Sequence, residues 1–96
     1  SLLADKEAAI RACAAWALGE LGSNTAVPAL SRSLKDMDVD VRRAAVQSLA
    51  QLARPESLDV LEAASVDADR WVAEWARRGL ARLQRSKRLP AKRKTS

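Results

Sequence analysis

The stretch "AVPALSRSLKDMDVDVRRAAVQSLAQL", residues 26–52, decides the architecture of this 96-residue chain. Its second half places Val41, Ala44, Ala45, Ser48, Leu49 and Leu52 at i, i+3, i+4, i+7, i+8 and i+11. That spacing is one stripe of an α-helix. Pro28 lies near the start of its first half, where a missing amide costs little. Asp36 and Asp38 precede the second half and suit the positive end of a helix. The stretch therefore predicts two helices joined by an acidic turn.

The same pattern recurs on both sides. "AIRACAAWALGELGS" (9–23), "DVRRAAVQSLAQLAR" (40–54) and "WVAEWARRGLARLQR" (71–85) align without a gap at a period of 31 residues. Ile10, Val41 and Val72 share a column, as do Ala14, Ala45 and Ala76. Leu18, Leu49 and Leu80 form a third column, and Leu21, Leu52 and Leu83 a fourth. Upstream, Asp5, Asp36 and Asp67 align, and so do Glu7, Asp38 and Asp69. Long helices are expected at about Glu7–Gly22, Asp38–Ala53 and Asp69–Arg85, with shorter ones at about Thr25–Lys35 and Pro55–Ala64. Helix pairs repeating at this period bury their stripes against their neighbours.

The motif in residues 26–52, with its Pro in the first helix, Asp in the turn and Val-Arg opening the second helix, resembles the HEAT repeat family. The likeness is to the short HEAT-like repeats of the phycobilin lyase type. It implies an all-α fold, a right-handed α-solenoid of about two and a half helical-hairpin repeats. The repeats would cover 1–23 in part, then 24–54 and 55–85, and a basic disordered tail would occupy 86–96. Residues 1–4 align with the end of a first helix, so the chain reads as the C-terminal part of a longer array. The resemblance also implies a structural ladder of Asp5 with Arg11 and Asp36 with Arg42; Asp67 has only Ala73 at the partner position. Trp75, where the other repeats have Cys13 and Ala44, would cap the open end.

Composition bounds the chemistry. Aromatic residues make up 3%, with no Phe or Tyr, and the apolar content is mostly Ala, Leu and Val. Small side chains let helices pack closely. With no His and one Cys, His general-base catalysis, His-ligated zinc and a His-Glu iron hydroxylase site are excluded within these residues. The expectation is no enzyme, no cofactor and no metal. No 18-residue apolar stretch exists, so no membrane span is expected, and an intracellular, cytoplasmic location follows, or a nuclear one in a eukaryote.

Charge is unevenly placed. Residues 1–84 carry 11 Lys+Arg against 12 Asp+Glu, a net −1, while residues 85–96 carry six basic residues and no acid, completing the chain's +5. Lys87, Arg88, Lys92, Arg93 and Lys94 offer a nucleic-acid contact or a nuclear localisation signal.

In HEAT-like stacks the second helices line a concave surface. Stepping by four along them selects Ala12, Trp16 and Glu20, then Arg43, Gln47 and Gln51, then Glu74, Arg78 and Arg82. An indole among polar neighbours is a typical anchor for a protein partner. The leading reading is a protein-interaction scaffold using Trp16, Glu20, Arg43, Gln47, Gln51, Arg78 and Arg82. The alternatives are a nucleic-acid-binding HEAT-like module and an accessory repeat domain of a lyase-type enzyme.

Overall fold

A computed structural model describes residues 6–22 and 26–95, with side chains described as far as residue 85. Five α-helices follow one another: α1 (Ala8–Leu21), α2 (Ala26–Ser33), α3 (Val39–Leu52), α4 (Leu58–Ala64) and α5 (Arg70–Thr95). A 3-10 turn, Pro55–Ser57, leads into α4. No strand occurs among the described residues. The short segment expected before α1 lies outside them.

Helix boundaries follow from local chemistry. Asp38 caps α3 by accepting from the Asp40 amide at 2.8 Å, and Asp36 accepts from the Asp38 amide at 2.9 Å. One repeat later, Asp67 accepts from the Asp69 amide and Asp69 from the Val72 amide. The acidic columns thus satisfy amides that a helix start leaves without partners. At the other ends, α1 stops at Gly22 with φ +64, and α3 stops at Ala53 in the same column with φ +48. Ala53 holds this left-handed conformation without glycine's freedom; Pro55, two residues on, bars the helix from continuing.

α3 is the centre of the molecule. α1 and α5 pack along its two sides, and α2 and α4 cover these long helices from one face. The expected stripe is buried: Val41, Ala44, Ala45, Ser48 and Leu49 are each at most 4% exposed, while Leu52 is half-buried. Val46 and Ala50, which lie off that stripe, are also buried, because α3 meets a neighbour on each flank. Small residues set the spacing of the long helices. Gly19 on α1 stands against Ser48 on α3, and Gly79 on α5 against Ala50 on α3. Ser48 closes the first contact by donating to the Ala15 carbonyl at 3.2 Å.

α5 corrects the expected domain boundary. A disordered tail was expected from residue 86, yet the helix runs on to Thr95. The column that ends α1 and α3 holds Gln84 here, and no proline follows at the place of Pro55. Extending an existing helix incurs no new nucleation cost, and Arg, Lys, Leu and Ala favour it, while Pro90 within the extension removes one helical hydrogen bond.

Candidate partner-binding face

α2 and α4 pack against the long helices, and the side chains singled out from sequence stand on α1, α3 and α5. Trp16 on α1 is 40% exposed and makes no ring contact or side-chain hydrogen bond among the described residues. Glu20 and Gln51 are exposed, and Gln47 is half-buried. Arg82 is exposed and donates to the Ala50 carbonyl at 3.3 Å, tying α5 to α3.

Arg43 is engaged with the next repeat. Its Nε and Nη2 donate to the two carboxylate oxygens of Asp69 at 3.1 and 2.9 Å. Its guanidinium also lies 5.8 Å from the ring centre of Trp71. Trp71 in turn packs on Trp75, with centroids 5.6 Å apart and planes tilted by 43°. Arg78 covers Trp75 at 5.3 Å. The result is a continuous row, Asp69–Arg43–Trp71–Trp75–Arg78, bridging α3 and α5. Each guanidinium faces an indole, a favourable cation–π arrangement.

Trp75 was expected to fill the space of a further repeat. It is half-buried against the core and touches both Trp71 and Arg78. Trp71, passed over as a site residue from sequence, is 37% exposed. The signal that could have found it is its spacing of four from Trp75, which puts both indoles on one side of a helix.

Charge pairs elsewhere clip repeat to repeat. Arg11 on α1 donates from Nε and Nη2 to both oxygens of Asp36, at 2.8 and 3.0 Å. Arg42 on α3 lies with Nε 3.2 Å from Asp67, an ion pair whose Nε–H is not aligned as a hydrogen bond. The expectation of Asp36 with Arg42, six apart, is corrected: Arg42 donates to the Asp36 main-chain carbonyl, at 2.8 Å, and its carboxylate partner is 25 residues downstream. The turn of one repeat lies beside the long helix of the previous one, so the rung reaches forward. At Ala73 the ladder stops, since a methyl cannot reach a carboxylate. Asp5 lies outside the described residues.

The pairs tune the acids. The hydrogen bond from Arg11, helped by the Asp38 amide and opposed by partial burial, holds the Asp36 carboxyl below its ordinary range. Arg43 does the same to Asp69, with the Val72 amide assisting. Both carboxylates are thereby kept charged, as a structural clip requires and a proton-transfer group does not. Among the described residues no group of three His, Cys, Asp or Glu side chains could hold a metal. No helix among them is long and apolar enough to cross a membrane. The side chains of Lys87, Arg88, Lys92, Arg93 and Lys94 lie outside the described set.

A family model for HEAT repeats matches residues 1–88. The chain belongs to the HEAT repeat family. Repeats of this kind generally mediate protein interactions. Among solved structures, human deoxyhypusine hydroxylase in complex with glycerol is similar, with a TM-score of 0.78 and 28% identity. The match covers 90% of this chain and 31% of the hydroxylase. No curated protein matches the chain. The hydroxylase overturns the expectation of no enzyme. An enzyme is built on this same architecture, and the chain spans about a third of its length. Missing histidines exclude chemistry only from the residues at hand, and a repeat fold by itself decides neither catalysis nor its absence.

Proposed function

We propose that this HEAT-repeat chain takes a protein partner on the face of α1, α3 and α5 opposite the short helices, with Trp16 as the apolar anchor. Gln47 and Arg78 hold its column in the next two repeats, and Glu20, Arg43, Gln51 and Arg82 complete the patch. The observation that carries the reading is the 40% exposure of Trp16 in a column otherwise filled by Gln47 and Arg78. An indole held on a rigid helix loses little entropy on binding and buries a large area. The polar residues around it supply a rim that fixes orientation.

Trp16→Ala tests the reading in two measurements. Affinity for a captured partner is expected to fall by about 2–4 kcal/mol, a loss of roughly 30- to 1000-fold. The thermal midpoint is expected to shift little, because a substantial part of the ring is already in water. A large loss of stability with an unchanged set of bound proteins would reduce Trp16 to ordinary packing.

A further inference from the structure

Two sets of arginines contrast in this chain, with Arg32 on α2 and Arg54, which donates to the Gly22 carbonyl, belonging to neither. Arg11, Arg42 and Arg43, on α1 and α3, each face a carboxylate at 2.8 to 3.2 Å. Arg70, Arg77, Arg78, Arg82 and Arg85, on α5, are all exposed, and none pairs with a carboxylate among the described residues. Their partners, where they have them, are neutral: Ser65 O for Arg77, Ala50 O for Arg82 and the Trp75 ring for Arg78.

The helix boundary shows how large the imbalance is. Residues 1–69 carry 7 basic and 11 acidic side chains, a net −4, whereas residues 70–96 carry 10 basic and one acidic, Glu74, a net +9; together these make the chain's +5. The basic excess is thus not confined to a terminal tail but belongs to one helix of 26 residues. At 1.5 Å per residue that helix is about 39 Å long.

We propose that α5 binds the phosphate backbone of a nucleic acid, with Arg70, Arg77, Arg78, Arg82 and Arg85 as phosphate contacts and without base readout. The row holds guanidinium forks at steps of one to seven residues along the part of α5 that precedes Pro90, and a nucleic-acid strand presents a phosphate about every 3.4 Å. Guanidinium matches a phosphate's paired oxygens and stays charged at every working pH. An acidic protein would need a comparably long, continuous anionic face. An anionic lipid surface would attract the same charge, but insertion would need a free apolar side on α5, and Val72, Ala76 and Leu83 are buried in the core. The inference goes beyond the protein-binding reading, and Arg70, Arg77 and Arg85 lie outside the residues assigned to that function.

The test is fluorescence anisotropy of the full chain with labelled 20-nucleotide single strands and duplexes of mixed sequence, from 50 to 300 mM salt. Three further samples separate the outcomes: the triple variant Arg70→Gln, Arg77→Gln, Arg85→Gln; a tail variant with Lys87, Arg88, Lys92, Arg93 and Lys94 changed to Gln; and competition by polyglutamate and by phosphatidylserine vesicles. The expected result is binding that weakens steeply with salt and varies little with sequence. The triple variant should flatten the log–log salt slope by about 0.7 to 0.9 per arginine removed while keeping the helical circular dichroism signal. Four results would overturn the proposal. These are no binding at 50 mM salt, an unchanged slope in the triple variant, complete loss in the tail variant alone, and displacement by polyglutamate or vesicles as strong as by unlabelled nucleic acid.

Discussion

α3 and α5 occupy equivalent places in successive repeats, yet they differ in nearly every respect that packing controls. α3 is clasped between α1 and α5 and buries Val41, Ala44, Ala45, Val46, Ser48, Leu49 and Ala50. α5 packs on α3 and α4, leaving Arg70, Arg77, Arg78, Arg82 and Arg85 in water. Among the described residues, two of the three long-range ion pairs start from α3 and none from α5. In a repeat array, position in the stack decides what a column residue does, because each repeat contacts only its neighbours. The same column can be core in one repeat and surface in the next.

Leu49 and Leu80 break that comparison most sharply. They share a column, but Leu49 is fully buried and Leu80 half-buried. Leu49→Ala is expected to cost about 2–5 kcal/mol, since the cavity is walled on both flanks. Leu80→Ala should cost less than half as much. Urea midpoints of the two variants measure the difference, and equal midpoints would show that α5 is as enclosed as α3.

The glycines compare the two long-helix interfaces. A Cβ on Gly19 would collide with Ser48 Oγ and fall 2.6 Å from Ser48 Cβ. On Gly79 it would fall 3.0 Å from Leu61 Cδ1 and 3.1 Å from Ala50 Cα. Gly19→Ala is therefore expected to destabilise by about 1–3 kcal/mol through overpacking. Gly79→Ala should cost less, because only a few tenths of an ångström must be yielded and alanine favours the helix by about 1 kcal/mol. Thermal melts that rank Gly79→Ala the worse would mean that the α3–α5 contact is the tighter one.

Acid titration probes the charge difference and has the smallest expected effect. Asp36 and Asp69 have lowered carboxyl pKa values in the folded chain, so the stability they confer is fully present above the unfolded value near 3.9. It is lost as the pH falls from about 4 through the lower folded values. Melts between pH 7 and 2.5 should show this decline, and Asp36→Asn with Asp69→Asn should flatten it. The arginines of α5 take no part, so Arg77→Gln should leave the acid limb unchanged. An equally steep limb in the double Asn variant would remove the clips from the account of acid stability.

Much of the fold was legible before any coordinates. The period of 31 placed all five helices, because the columns of Leu, Ala and Val repeat the spacing of one buried stripe. The Asp columns announced the caps, since a short carboxylate before a helix has local amides to accept from. The candidate face was partly legible: Trp16 stands off its stripe and is exposed. The partnership of Arg43 with Asp69 and Trp71 was not, because it joins residues 26 and 28 positions apart and depends on which turn lies beside which helix.

Local information, then, determined what is local: the helical period, the caps at Asp38 and Asp69, and the stop at Gly22. Each rests on hydrogen bonds or dihedral angles within a few residues of chain. Only the tertiary structure decided that Val46 and Ala50 are core, that Arg42 reaches forward to Asp67, that Trp71 joins Arg43 and Trp75, and that five arginines of α5 lack carboxylate partners among the described residues. These outcomes follow from the distance between one repeat and the next, which is set by how closely Gly19, Ser48, Ala50 and Gly79 let the long helices approach.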